Sequence, residues 1–216
     1  MSWDLRKDPL PAVEKVFVYG SYTGSTAPPG DYTARLTVGA TQQEVAIQLL
    51  ADPNIKASAT AYAEQAALLN AIDSQIATLH NTVSDMRSIQ EQLRFHIDLL
   101  ASQSDYAALH KKGKDLLEKL SQWERTLIQP DQKTFQDVIN FNNKLNAEWM
   151  HLKGYVDSPD PAVTQGAKDR FNDLQQEWKD AKKALQNLID NEIATFNQAY
   201  KELNIPSLIV PTATHQ

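Results

Sequence analysis

The sequence predicts a mainly helical protein with a small β part at its N-terminus. Over residues 32–49 apolar and polar residues alternate, which is the pattern of strands with one buried face. From about residue 58 the apolar residues instead recur every three or four positions, as they do on the buried face of a helix. These two periods predict a small antiparallel sheet at 1–52, a long helical bundle at 53–204 and a tail at 205–216.

The N-terminal unit is expected to contain four short strands. The clearest pair is 32–38 and 45–49, which the turn at 39–41 joins into a hairpin with one buried face. Shorter apolar runs at 2–5 and 16–19 predict two further strands. A sheet of this size is marginally stable alone, so we expect another element to cover it.

A first long helix is predicted over about residues 58–102, which corresponds to a length of ~65 Å. Its apolar seam steps alternately by four and three residues and has one polar member, Gln90. The seam consists of Ile72, Ile76, Leu79, Val83, Met86, Gln90, Leu93, Ile97 and Leu100. Ser104 or Asp105 is expected to cap a second helix, in which Gly113 occupies a seam position and indicates a close approach of two backbones.

A third helix is predicted at about 140–156 and a last one at about 161–203. Between them, Asp160 is the expected cap and Pro161 the expected first-turn residue of the last helix. The seam of the last helix slips by two successive steps of four after Leu185, which is a stutter that locally straightens a supercoil.

The helix lengths constrain how the helices pack. Two long helices flank two short ones, and the short pair together is about as long as either long helix. The simplest arrangement is an antiparallel three-helix bundle whose middle helix is broken near Pro130, and a four-helix bundle is the alternative. Trp123, Trp149 and Trp178 lie on the seams and are expected to anchor the core.

Composition excludes several classes of function. The 216 residues carry a net charge of −6, so nucleic acid is not an expected partner, and the basic run at 111–114 is predicted to be a solvated helix face. The absence of cysteine excludes disulfides, thiolate metal sites and cysteine nucleophiles. No apolar run approaches the ~20 residues that span a bilayer, and the first residues do not resemble a signal peptide.

No catalytic, cofactor-binding or metal-binding group of residues is predicted. Glu148 and His151 have the spacing of a di-iron ligand pair, but that site needs a second such pair and two more glutamates, so we expect a surface pair. His96 is expected to flank the seam. The glycines of 20–24 lack the Gly-Lys-[Ser/Thr] sequence that binds phosphate, which indicates an ordinary loop. We therefore expect neither enzymatic activity nor a cofactor.

Three features occur in a recognisable order along the chain. They are Trp3-Asp-Leu-Arg6, the hairpin Ala27-Pro-Pro-Gly-Asp-Tyr-Thr-Ala-Arg-Leu-Thr-Val38, and Asp52-Pro53 ahead of a long helix. Together they resemble the C-terminal region of bacterial proteins with sortilin-like, BNR-type β-propeller repeats, many of which are known as glycosyl hydrolases. Phe141-Asn-Asn-Lys-Leu-Asn146 is similar to a stretch between the later helices of that family. The resemblance extends to about residue 200.

The resemblance implies an exported protein in which a partial immunoglobulin-like antiparallel sheet, residues 1–52 of this chain, is followed by helices. The propeller is absent from this sequence, so its activity is not carried over. The upstream strands of the immunoglobulin-like module are absent as well, and we expect a C-terminal fragment or the product of a truncated gene.

The function that this implies is that of a non-catalytic spacer, docking or dimerisation module. Its expected partners are the upstream propeller of the parent chain or a second copy, held through the sheet edge or the helix seam. The alternative is an accessory carbohydrate-binding part of a glycosidase-like parent.

Overall fold

The computed structural model describes residues 2–101, 103–203 and 205, so the predicted tail at 205–216 lies outside the described residues except for Ile205. The described part is mainly helical with a two-stranded antiparallel sheet near its N-terminus, which confirms the predicted fold class at that level. The elements are β1 (Gly30–Val38), β2 (Thr41–Leu49), α1 (Ala59–Leu100), α2 (Ala107–Leu127), α3 (Leu145–Val156), α4 (Gln165–Asn187) and α5 (Ala194–Glu202).

The predicted hairpin is present, but its predicted buried face is not buried. β1 and β2 pair without interruption from Gly30↔Leu49 to Val38↔Thr41. Gly39 has a φ of +58°, which suits the first central position of the two-residue turn that joins the strands. All residues of the hairpin except Tyr32 and Leu49 are exposed, because no helix of the described part packs along it.

The two further predicted strands, at 2–5 and 16–19, are wrong. Residues 2–28 instead form an irregular segment, here called the strap, in which 5–10 run loosely antiparallel to 22–27. Its backbone hydrogen bonds include Lys7 N to the Ser25 carbonyl (3.0 Å) and Ala27 N to the Leu5 carbonyl (2.8 Å).

The strap packs on the helices instead of extending the sheet. Val13, Val16 and Val18 are buried in the same apolar core as the helix seams. The helical core therefore buries these valines, and they do not pair in a sheet as the pattern predicted.

The first long helix is confirmed within two residues at each end. Ser58 caps α1 by accepting a hydrogen bond from Ala61 N at 3.1 Å. All nine predicted seam residues are buried, including Gln90.

The start of the second helix differs from the prediction. Ser104 and Asp105 lie in a short 3₁₀ turn, and α2 begins at Ala107 without a side-chain cap. The third helix begins later than predicted, at Leu145. Residues 135–139 before it form another 3₁₀ turn, where Asp137 accepts hydrogen bonds from the backbone of Lys133 and Thr134 and has a lowered pKa for that reason.

The predicted cap of the last helix is also wrong. Asp160 instead accepts a hydrogen bond from Ala162 N (3.0 Å), and Thr164 caps α4 by accepting one from Ala167 N (3.2 Å). At the predicted stutter, Leu188–Ile193 form a π-helical segment between α4 and α5. A π-helical turn accommodates an extra residue, so it absorbs the shift of the seam without ending the helix.

The helices pack around one continuous core. α2 and α3 contact successive parts of α1, and Gln65 of α1 donates to the Val156 carbonyl at the end of α3 (2.8 Å). The last helical stretch contacts both α2 and α3. Trp123, Trp149 and Trp178 are all buried, which confirms them as core residues. None of the described helices is both long and apolar enough to cross a membrane.

Candidate functional site

The most unusual surface of the molecule is one face of the hairpin. Its apolar side chains come from both strands: Tyr32, Ala34, Leu36, Val38, Val45, Ile47 and Leu49. Leu36, Val38 and Val45 are 57%, 68% and 61% exposed. The strap reaches this face at its base, where the ring of Trp3 meets the ring of Tyr32 edge-on at 5.2 Å. We call these seven residues the apolar hairpin face.

The opposite face of the hairpin is polar and carries its three charged residues. Arg35 and Glu44 are cross-strand partners and form an ion pair at 2.6 Å. Asp31 accepts a hydrogen bond from its cross-strand partner Gln48 at 3.3 Å. The apolar hairpin face itself carries no charge, so only an apolar surface would match it.

The strap is held to the C-terminal end of α3 by polar contacts that are partly buried. Asp157 accepts hydrogen bonds from Arg6 (2.9 Å) and from the backbone of Thr26 (3.2 Å). Burial alone would raise the pKa of Asp157, but these bonds outweigh it and hold the pKa below its usual value. Lys153, which is 5% exposed, donates to the Thr23 carbonyl at 2.8 Å, and burial lowers the pKa of its ammonium group.

The middle of the strap rests on a buried histidine. Nδ1 of His80 is hydrogen-bonded to the Pro11 carbonyl at 2.7 Å, and the ring of Tyr22 lies 5.5 Å away, centroid to centroid. Nε2 of His80 and the Tyr22 hydroxyl are buried without a hydrogen-bond partner among the described residues. Burial therefore lowers the pKa of His80 despite the bond to Pro11. No described nucleophile is bonded to this histidine, so its geometry is that of a structural contact.

A polar groove of about 700 Å³ lies where the strap, α1 and α2 meet. On its floor, Glu124 accepts hydrogen bonds from Arg87 (2.7 Å) and Gln90 (2.9 Å), one on each carboxylate oxygen. Arg94 donates to the amide oxygen of Gln90 at 3.1 Å. Because these groups already satisfy one another, the groove offers no free acid or base among them, and their network explains the polar residue in the seam of α1.

The residues singled out from the sequence do not converge. Glu148 pairs with Arg170 (3.1 Å) and His151 is exposed, so this is a surface pair as predicted. His96 packs edge-on against Tyr200 at 4.9 Å. No group of three or more potential metal ligands occurs among the residues that the structure describes.

The two loop and surface predictions have clear positions. The lysines of 111–114 are exposed on α2, which confirms a solvated helix face. In the loop of 20–24, a Cβ on Gly24 would lie 2.2 Å from the Lys7 carbonyl oxygen, so the glycine allows close packing inside the strap.

The buried polar anchors were missed at the level of sequence. Lys153 lies one turn after Trp149, and His80 directly follows the seam residue Leu79. Their positions beside the seams are the only indication in the sequence that these side chains are buried. Long polar residues beside a seam usually extend into water, so burial can be inferred only when the position of the strap is known.

Comparison of the chain with protein-family models, with curated proteins and with solved structures finds no match. The candidate site therefore rests on the geometry of the chain itself, and its clearest element is the apolar hairpin face at the head of a helical core.

Proposed function

We propose that the chain is a non-catalytic docking module in which a helical support presents the apolar hairpin face to β-structure of a larger protein. The observation that carries this proposal is that the apolar hairpin face carries no charge and is exposed along both strands. Soluble proteins rarely leave such a patch bare unless something binds there, and an isolated two-stranded hairpin is marginally stable in water.

The helical part is suited to be a rigid support. Its core includes Trp149 and Trp178, both fully buried, and the seam of α1 is buried from Leu69 to Leu100. We interpret the packing as an up–down–up bundle whose middle helix is broken between α2 and α3, because these helices lie along successive parts of α1. Such a bundle would act as a spacer as well as a support.

The partner that fits best is an antiparallel sheet with an apolar face of its own. Sheets pack face to face through alternating apolar side chains, and the apolar hairpin face presents that pattern in two paired strands of nine residues. The resemblance of Trp3–Arg6 and of the hairpin to the sortilin-like, BNR-repeat proteins suggests where such a sheet would come from. We propose that the module belongs to a larger exported protein of that kind and docks against its β part.

The test begins with the DNA immediately upstream of the codon for Met1. The β-domain encoded there, produced separately, is titrated into the 216-residue chain by calorimetry. We expect binding that Val45→Lys, on the apolar hairpin face, weakens by about tenfold or more, since a charge would be buried at the interface. Gln42→Lys, on the polar face of the same strand, is the matched control and should leave the affinity within about twofold.

Three results would overturn the proposal. They are the absence of an encoded β-domain, an affinity that Val45→Lys leaves unchanged, and turnover of a glycoside by the isolated chain that one point substitution abolishes. Glycan binding of sub-millimolar affinity that survives Val45→Lys would instead favour a carbohydrate-binding module.

A further inference from the structure

We propose that the outer edge of β1 pairs with the same edge of a second copy of this chain, antiparallel and centred on Thr33. This inference rests on the proposed docking role of the hairpin and adds a second partner for it. It concerns the strand edge and the polar face, whereas the docking proposal concerns the apolar hairpin face. The two are therefore tested with different residues.

Both edges of the hairpin are open in the described part of the chain. The sheet has two strands, so each strand has one row of backbone groups without a ladder partner. Neither strand contains proline, lysine or a bulge, which are the usual features that prevent strand pairing at an edge.

The hairpin geometry identifies which residues of β1 point outward. In a hairpin closed by a two-residue turn, the residues flanking the turn, here Val38 and Thr41, exchange hydrogen bonds with each other. Hydrogen-bonded and non-hydrogen-bonded pairs alternate along the hairpin. The backbone N–H and C=O groups of Asp31, Thr33, Arg35 and Thr37 therefore point away from β2, toward the free edge. A two-fold pairing centred on Thr33 places the outward-pointing residues Asp31, Thr33 and Arg35 opposite one another, as an antiparallel ladder requires. The ladder ends where Thr37 lies opposite Pro29, which has no N–H to donate.

Charge selects this register. Centring the pairing on Thr33 places Asp31 of each copy opposite Arg35 of the other, so two cross-strand ion pairs form at once. Each arginine already pairs with Glu44 of its own hairpin at 2.6 Å and would then lie between two carboxylates. Centring on Ala34 instead places Asp31 opposite Thr37 and Arg35 opposite Thr33, which forms no ion pair.

The edge of β2 lacks this complementarity. β2 has the sequence TQQEVAIQL, with Glu44 as its one charged residue and no basic residue. No two-fold register of β2 with itself therefore brings opposite charges together, and the register centred on Glu44 places two carboxylates face to face. The β1 edge is the one that favours a second copy.

Pairing at the β1 edge would also enlarge the docking surface. The two-fold axis of an antiparallel edge pairing runs perpendicular to the sheet, so both copies present their apolar faces on the same side. The result is a four-stranded sheet with one continuous apolar face. Such a sheet is a better match for a sheet-to-sheet partner than a single hairpin.

The test is a charge exchange read by sedimentation velocity of the full chain over about 10 µM to 1 mM, because a strand-edge interface is small and expected to be weak. The wild type should form a dimer at the upper end of this range. Asp31→Arg and Arg35→Asp should each weaken dimerisation by about tenfold or more, because each places two pairs of like charges opposite each other.

An equimolar mixture of the two single variants should restore the dimer. The variant with two arginines at positions 31 and 35 then faces the variant with two aspartates there, so both charge pairs between the two copies again join opposite charges. The double variant D31R/R35D should restore the dimer as well. Glu44→Gln is the control for the loss of the ion pair within the hairpin and should still dimerise. Circular dichroism of every variant should match the wild type, because these side chains lie outside the core.

A wild type that stays monomeric throughout this range overturns the inference, and so does a dimer that the single substitutions leave intact or the mixture fails to restore. Failure of this test leaves the Val45→Lys result untouched. The docking proposal and the edge-pairing proposal therefore fail separately.

Discussion

Gly113 of α2 lies so close to Ile97 of α1 that a Cβ added to the glycine would come within 2.9 Å of Ile97 Cγ1. The same Cβ would lie 3.2 Å from Cε2 of Phe196 in α5. Three helices therefore meet at a point where a side chain does not fit, which explains a residue of low helix propensity in a seam position.

We predict that Gly113→Ala lowers the free energy of unfolding by up to about 2 kcal/mol, because the cost of overpacking, about 1–3 kcal/mol, exceeds the ~1 kcal/mol gained in helix propensity. Gly154→Ala is the matched control, since no atom lies within 4 Å of its Cβ position on α3. It should raise the free energy of unfolding by about 0.5–1 kcal/mol. Urea denaturation of the three proteins measures both values, and stabilisation by both substitutions would contradict the close helix contact.

A second prediction concerns acid and the buried His80. Because the folded protein holds this histidine neutral and lowers its pKa, the unfolded chain takes up the proton first as the pH falls. The contribution to stability is complete above pH ~6.5 and decreases below it, at up to ~1.4 kcal/mol per pH unit.

This pH dependence is measured by urea denaturation between about pH 7.5 and 5.5, on either side of the ordinary histidine pKa. His80→Gln should remove most of the slope in that range, and His151→Gln is the control for replacing a histidine at an exposed position. A slope that survives His80→Gln would show that another group is responsible.

A third prediction tests the strap. A Cβ on Gly24 would lie 2.2 Å from the Lys7 carbonyl oxygen and 2.4 Å from that of Asp8. These backbone atoms have little freedom to move, because Lys7 N is bonded to the Ser25 carbonyl at 3.0 Å. Gly24→Ala should therefore cost about 2–3 kcal/mol of stability and expose the strap to limited proteolysis.

The control for the strap is Gly166→Ala in the first turn of α4, where the nearest atom to the added Cβ is Thr164 Oγ1 at 4.0 Å. It should leave the proteolysis pattern unchanged. If the strap of the Gly24→Ala variant resisted proteolysis as well as that of the wild type, the strap would not be held in this conformation.

A fourth prediction separates the hairpin from the core. Ile47→Thr on the apolar hairpin face should change the free energy of unfolding by less than about 0.5 kcal/mol, because Ile47 has no helix packed on it. Leu79→Ala should cost about 2–5 kcal/mol, because Leu79 is fully buried in the seam of α1. Thermal denaturation compares the two, and a large loss with Ile47→Thr would indicate that the hairpin is covered.

Alternation alone predicts the hairpin, but its prediction of a buried face is wrong, because that face is exposed. The pattern of Tyr32–Val38 shows that one face is apolar, but it contains no information on what lies against that face. The same limit applies to Val16 and Val18, which belong to an apolar run that predicts a strand, although they are buried in the helical core. Period reports which side chains share a face, and burial depends on residues distant in sequence.

The sequence by itself determined the helices, their seams, the three tryptophan anchors and the position of the stutter, because these depend on residues about three to seven positions apart. The tertiary structure decided where the strap lies, that Lys153 and His80 are buried beneath it, and that the hairpin face is bare. Those outcomes depend on contacts between residues far apart in the sequence. Pro11 and His80 of α1 are 69 residues apart, and Thr23 and Lys153 of α3 are 130 residues apart. No local pattern encodes such a pairing. The long-range packing of the core decides which apolar residues are buried, and the apolar hairpin face is among those left exposed.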